Sequence, residues 1–249
     1  MALAIINTVR MVQSVAINIG ANTNEPGFRG PIFADGTFEY VPIPETAPVK
    51  AGVNIPTYND LTLSIDVTEV ASRPVHLDPT FLGVHGSIAY TYGDPFGVKA
   101  QPILALSRGD ILFFYATLTT HGRPKYDWIT DDWGAYIIGA FRVGSDPLSG
   151  EEFQSLPRWK KERYLTNAHL KRQSFDAAVM VYGNPDTSFQ LSKAIPLSSS
   201  DTGTKPNSIV TALSTDSGKG PWWRRPLKFG HTATATLFEM CVTGDRSGL

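Results

Sequence analysis

The run Asp110-Ile-Leu-Phe-Phe-Tyr-Ala-Thr-Leu constrains this chain more than any other segment. Both of its alternating faces are apolar, so as a strand it must be covered on both sides and belongs inside a sheet. Trp133-Gly-Ala-Tyr-Ile-Ile-Gly-Ala-Phe-Arg-Val is its natural antiparallel partner, and Gly134 and Gly139 permit a bend. The polar stretch His121–Asp132 then closes the hairpin. Further strands are expected at 13–19, 38–43, 61–70, 176–182 and 233–242, and helices at Glu151–Thr166 and Pro206–Leu213. Strands dominate and helices are peripheral, which predicts an α+β fold with a strongly bent mixed sheet or open barrel.

No linker-like composition shift divides the 249 residues, so a single domain is expected over 12–249. Met1–Met11 reads as an extension before the first strand rather than a secretory signal. Apolar residues at 42% and charged residues at 18% suit a soluble globular body. No apolar run is long enough to span a bilayer, so no membrane partner is expected. The single cysteine, Cys241, excludes an internal disulfide and a cysteine-based zinc site, and the cytoplasm is the expected compartment.

The stretch 18–36 is far longer than a simple turn needs. Asn22 and Asn24 offer amides suited to a base edge or sugar hydroxyl, and Arg29 suits a phosphate or carboxylate. Asp35 and Glu39 could orient that arginine or meet a substrate. The plain alternative is a self-satisfied loop closed by Asx turns.

A second constellation is His76-Leu-Asp78-Pro79. Residues two apart on an extended segment point the same way, so His76 and Asp78 can converge on one object. They form a candidate acid–base pair. A divalent metal is the alternative, with His169 or His231 as third ligand in the manner of non-haem iron oxygenases and Arg246 serving a co-substrate carboxylate. A purely structural histidine is the remaining reading. Tyr92 could stack on a planar ligand or pack in the core.

Charge is segregated along the chain. Residues 157–172 carry six basic side chains against Glu162, and residues 219–228 carry four and no acid. Trp159 lies in the first window and Trp222 in the second, the pairing of cations and flat rings that suits a nucleic-acid strand. A solvated face plus core tryptophans is the bland reading. Within the first window Asn167, His169, Lys171 and Arg172 make a candidate phosphate contact. No P-loop, dinucleotide fingerprint, nucleophile elbow or zincin helix is present.

Several segments resemble the nucleotide-modification-associated domain family of the third class. They are Gly20-Ala-Asn-Thr-Asn-Glu-Pro-Gly-Phe-Arg-Gly-Pro-Ile-Phe, Asp35–Glu45, His76-Leu-Asp-Pro, Thr91-Tyr-Gly-Asp-Pro, Gly109–Ala116, Asn167-Ala-His-Leu-Lys-Arg and Ser188–Pro196. The resemblance runs over about 14–229 and implies a role in systems that modify nucleic-acid bases. It favours a nucleotide or nucleic-acid partner for the 18–36 loop and for the basic, tryptophan-bearing windows. The expected function is a base-modification enzyme or subunit. The alternatives are a non-catalytic reader of modified bases and an iron oxygenase using His76 and Asp78. No cofactor is required outside the metal reading.

Overall fold

The computed structural model describes residues 10–245. The extension assigned to 1–11 and the residue Arg246 therefore fall largely or wholly outside the described residues. In chain order the strands are β1 (Ser14–Asn18), β2 (Gly30–Phe33), β3 (Thr91–Asp94), β4 (Ile111–His121), β5 (Trp133–Arg142), β6 (Leu148–Ser149), β7 (Val179–Tyr182), β8 (Phe189–Pro196), β9 (Ser198–Ser199), β10 (Thr202–Pro206) and β11 (Leu227–Phe229). The helices are α1 (Gly97–Leu104), α2 (Gly150–Ser155), α3 (Arg158–Lys161), α4 (Ala168–Lys171), α5 (Ser208–Leu213) and α6 (His231–Thr243).

The main sheet runs β11-β1-β4-β5-β8, with β2 also paired to β4. β4 is central, parallel to β1 and β2 and antiparallel to β5. Register shifts at Phe114/Tyr115 and at Ile137/Gly139 bend the sheet, which stays open. This is the expected α+β class with a bent mixed sheet.

Alternation along β4 makes two cores. Leu112, Phe114, Ala116 and Leu118 pack with Ile17, Leu77, Phe81 and Tyr92 on one face. Ile111, Phe113 and Tyr115 pack with Ile137, Trp222, Leu227 and Leu237 on the other. A second sheet, β3-β7-β6, adds to the first face and carries the elements that matter below.

Four expected elements differ. Residues 233–242 lie in α6, although the Thr-Ala alternation before Leu237 mimics a strand. The buried positions Ala233, Thr234, Leu237, Met240 and Cys241 follow helical spacing, and Thr234, Thr236 and Thr243 bond back to carbonyls four residues earlier. Residues 61–70 form turns, because Leu63, Ile65 and Val67 pack on a local cluster around Tyr58 while Asp66 closes a turn onto Thr68. Residues 38–43 make one bridge, Ile32 to Phe38, before Pro42 and Pro44 remove the donors a ladder needs. The helix expected over Glu151–Thr166 is broken: Leu156 is extended ahead of Pro157, which starts α3 afresh. No helix among the described residues is long and apolar enough to cross a membrane.

Candidate functional site

The segment 74–80 is bridged to the start of β3 through Thr80 and Thr91 and brings His76 and Asp78 together. α4 delivers His169 opposite them, with its N-terminus fixed by the Asn167 side chain, which accepts from the His169 N–H at 3.1 Å. One ligand atom each from His76, Asp78 and His169 lies within 4.8 Å of the others. All three residues are buried, at 6%, 8% and 1% exposure. The two imidazoles meet edge to face, centroids 4.9 Å apart.

Every group in this cluster is held from behind. Asp78 accepts from Asn167 Nδ2 at 2.7 Å and from the Gly93 N–H at 3.0 Å. His76 Nδ1 stands 2.8 Å from Glu45 Oε2, and His169 Nδ1 stands 2.7 Å from Asp176 Oδ1. Arg172 joins the two supporting carboxylates, donating Nη2 to Glu45 at 2.9 Å and Nη1 to Asp176.

These contacts fix the tautomers. Burial would raise the Glu45 carboxyl, but hydrogen bonds from His76, Arg172 and the Ala47 N–H hold it down at about 2. Burial acts the same way on Asp176, and His169 with Arg172 likewise hold it at about 2. An ionised carboxylate only accepts, so each Nδ1 carries the proton and each Nε2 faces the cluster. Arg172 Nη2 also lies 3.0 Å from His76 Nδ1, but a guanidinium cannot share a nitrogen whose proton already points at Glu45. His169 Nε2 is buried without a hydrogen-bond partner, 3.5 Å from Asp78 Oδ2. Burial works against charging His169, yet Asp176 and Asp78 lift its pKa to about 9. The pocket floor therefore recruits positive charge.

A cleft of about 540 Å³ opens above the cluster. Its walls bring together three stretches far apart in sequence, through Asn22, His76 with Asp78, and His169 with Arg172. Asn18, Gly93, Asp94, Phe96, Lys99 and Asp176 also line it. Tyr92 lines it too, but is buried with its hydroxyl donating to Asp94 at 2.6 Å, so its ring serves the core.

Other residues singled out in the sequence lie elsewhere. Arg29 leaves the cleft and stacks on Trp133, 4.4 Å from the ring centre. Asn24 donates its N–H to Asn22 Oδ1, Asp35 accepts from Thr37, and Glu39 accepts from the Ser64 N–H; all three close local turns or loops. Trp222 is 2% exposed in the core on the opposite face of the main sheet. Trp159 is 67% exposed on α3, and Lys171 does not line the cleft. His231 opens α6 and approaches the Val12 carbonyl, away from the cluster, so His169 is the histidine that joins His76 and Asp78. Glu45, Asp176, Gly93, Lys99, Phe96 and Asn18 were not singled out as site residues by the sequence. Of these, Glu45 and Gly93 lie inside segments that carry the family resemblance.

Fold and cleft together define an α+β protein that presents a buried His–Asp–His cluster at the floor of a polar cleft. The chain belongs to the nucleotide modification associated domain 3 family, whose model matches residues 13–239. It is thus a domain associated with nucleotide modification. No curated protein and no solved structure matches it.

Proposed function

We propose that this chain is a metal-dependent enzyme that modifies a nucleotide. A divalent cation would be held by His76 Nε2, His169 Nε2 and an Asp78 oxygen. The observation that carries the reading is the convergence of these three buried groups, with His169 Nε2 left without a partner. Two histidines and one carboxylate on one side of an ion form the donor set of non-haem iron sites, with positions left open for other ligands. Carboxylates behind both histidines supply the outer support such sites use to fix ring orientation.

Charge supports the same reading. Four carboxylates (Glu45, Asp78, Asp94 and Asp176) surround the floor, against the permanent cations Lys99 and Arg172. With both imidazoles neutral, as a bound ion requires, the deficit of two equals the charge of a divalent ion. Such an ion supplies Lewis acidity, or a redox centre if it is iron, beside the group that enters the cleft. The chain's own residues orient the ligands, exclude water from the floor and keep the Nδ1 protons in place.

Titration of the metal-free protein with Fe(II), Mn(II) and Zn(II), followed by calorimetry, tests this. One equivalent should bind, and His169→Ala and His76→Ala should each weaken binding by about 100-fold or more, with circular dichroism unchanged. Wild-type binding in both variants would remove the metal and return His76 and Asp78 to the acid–base reading. Glu45→Gln keeps the side-chain shape but loses the ionised acceptor. Its metal affinity is expected to fall about 10-fold, within the range seen for outer-shell partners.

A further inference from the structure

Resting on the metal reading above, we infer that the cleft takes the base of a nucleoside, stacked on Phe96, and keeps phosphate outside. Two sets of observations lead there. The first is the state of the cations. Only Lys99 and Arg172 bring permanent positive charge to the cleft lining among the described residues. Both are engaged: Lys99 donates to the Asn18 carbonyl at 3.1 Å and lies 3.5 Å from Asp94, while Arg172 spans Glu45 and Asp176. With the divalent ion at the floor balancing the surrounding carboxylates, a phosphate would bring unmatched negative charge beside Asp94 and Asp176, with no free side-chain cation to pair with. A neutral group meets no such opposition.

The second is the shape and chemistry of the rim. Phe96 lines the cleft, yet is 67% exposed. Its backbone is fixed, because its N–H donates to Asp94 Oδ1 at 2.7 Å and it stands at the N-cap position of α1. A large apolar ring held in water at the mouth of a polar cleft is the arrangement that offers a face to another flat ring. On the cleft wall, Asn18 Nδ2 is a buried donor with no acceptor among the described residues. Buried donors seldom stay unpaired, and a ring nitrogen or carbonyl on a base edge would pair this one. Asn22 adds a second amide to the same wall. The group brought to the floor is then the base or the sugar beside it.

The experiment uses the full chain loaded with Mn(II) and follows the binding of four nucleosides, their 5′-monophosphates and ribose 5-phosphate by calorimetry. At least one nucleoside should bind within about three-fold of its monophosphate, and ribose 5-phosphate should not compete. Phe96→Ala should weaken that nucleoside by about ten-fold or more, and Phe96→Trp should retain it. Phe96 is exposed, so neither change threatens folding. The inference is overturned if ribose 5-phosphate binds as well as the nucleotides, if Phe96→Ala has no effect, or if no nucleoside binds at millimolar concentration. Metal affinity measured on the same Phe96→Ala sample separates the two readings. It should equal wild type, and if the wild-type protein binds no metal, the parent reading fails on its own evidence.

Discussion

Gly93→Ala is expected to abolish the divalent-ion binding proposed above, although residue 93 supplies no ligand. A Cβ at this position would stand 2.6 Å from His169 Cδ2 and 2.9 Å from Met180 Sδ. The methionine can swing away. The imidazole cannot, since Asp176 pins its Nδ1 and the Asn167 cap fixes its backbone. Residue 93 cannot retreat either, because β3 is paired with β7 at Met180. Cδ2 is bonded directly to Nε2, so the clash displaces the ligand atom itself. The Gly93 N–H that steadies Asp78 would shift with it. Affinity for the divalent ion should fall at least as far as in His169→Ala, beyond about 100-fold, with the far-ultraviolet spectrum retained. A Gly93→Ala protein that titrates like wild type would contradict the assignment of His169 Nε2 as a ligand.

The second large effect falls on stability and leaves chemistry alone. Trp222 is enclosed between the main sheet and its own segment, with Nε1 donating to the Thr204 carbonyl at 2.8 Å. Tyr115 reaches across with its hydroxyl to the Arg225 carbonyl at 2.5 Å, tying the same segment to β4. Trp222→Ala empties a buried volume and should destabilise the fold by about 3–5 kcal/mol in denaturant unfolding. The same substitution at Trp159, which is exposed, should change stability by less than about 0.5 kcal/mol. At temperatures where Trp222→Ala remains folded, its metal and nucleoside affinities should equal wild type. A drop in nucleoside affinity there would return Trp222 to the binding surface, the role its basic neighbourhood suggested.

What the chain discloses before folding follows from how local each signal is. β4 and β5 could be read because two-sided apolarity has one interpretation, a covered central strand. His76 and Asp78 could be paired because spacing by two sets direction along an extended backbone. In the sequence His169 and His231 stand level as third partners, since nothing local separates two histidines. Only the placement of α4 against the 74–80 segment selects between them. Glu45 and Asp176 were passed over because a carboxylate in an irregular segment carries no pattern; each acquires its role through a contact spanning 31 or 7 residues. α6 resembles a strand in sequence because alternating Thr and Ala satisfies period two as readily as a helix face, until Leu237, Met240 and Cys241 decide it. Arg29 sat in a genuinely special loop, and its aromatic partner came from β5, far along the chain.

The guanidinium of Arg172 touches both carboxylates that steer the two imidazoles, so neither ring can rotate without disturbing the other. Contributors to the floor come from residue 45 through residue 176, with the two central strands between them. Partial assembly is therefore of no use to the molecule. A chain that has folded only its leading half holds scattered acids and one imidazole of the pair, short of the full donor set. The proposed metal site is therefore complete only once the later segment has docked onto the earlier one.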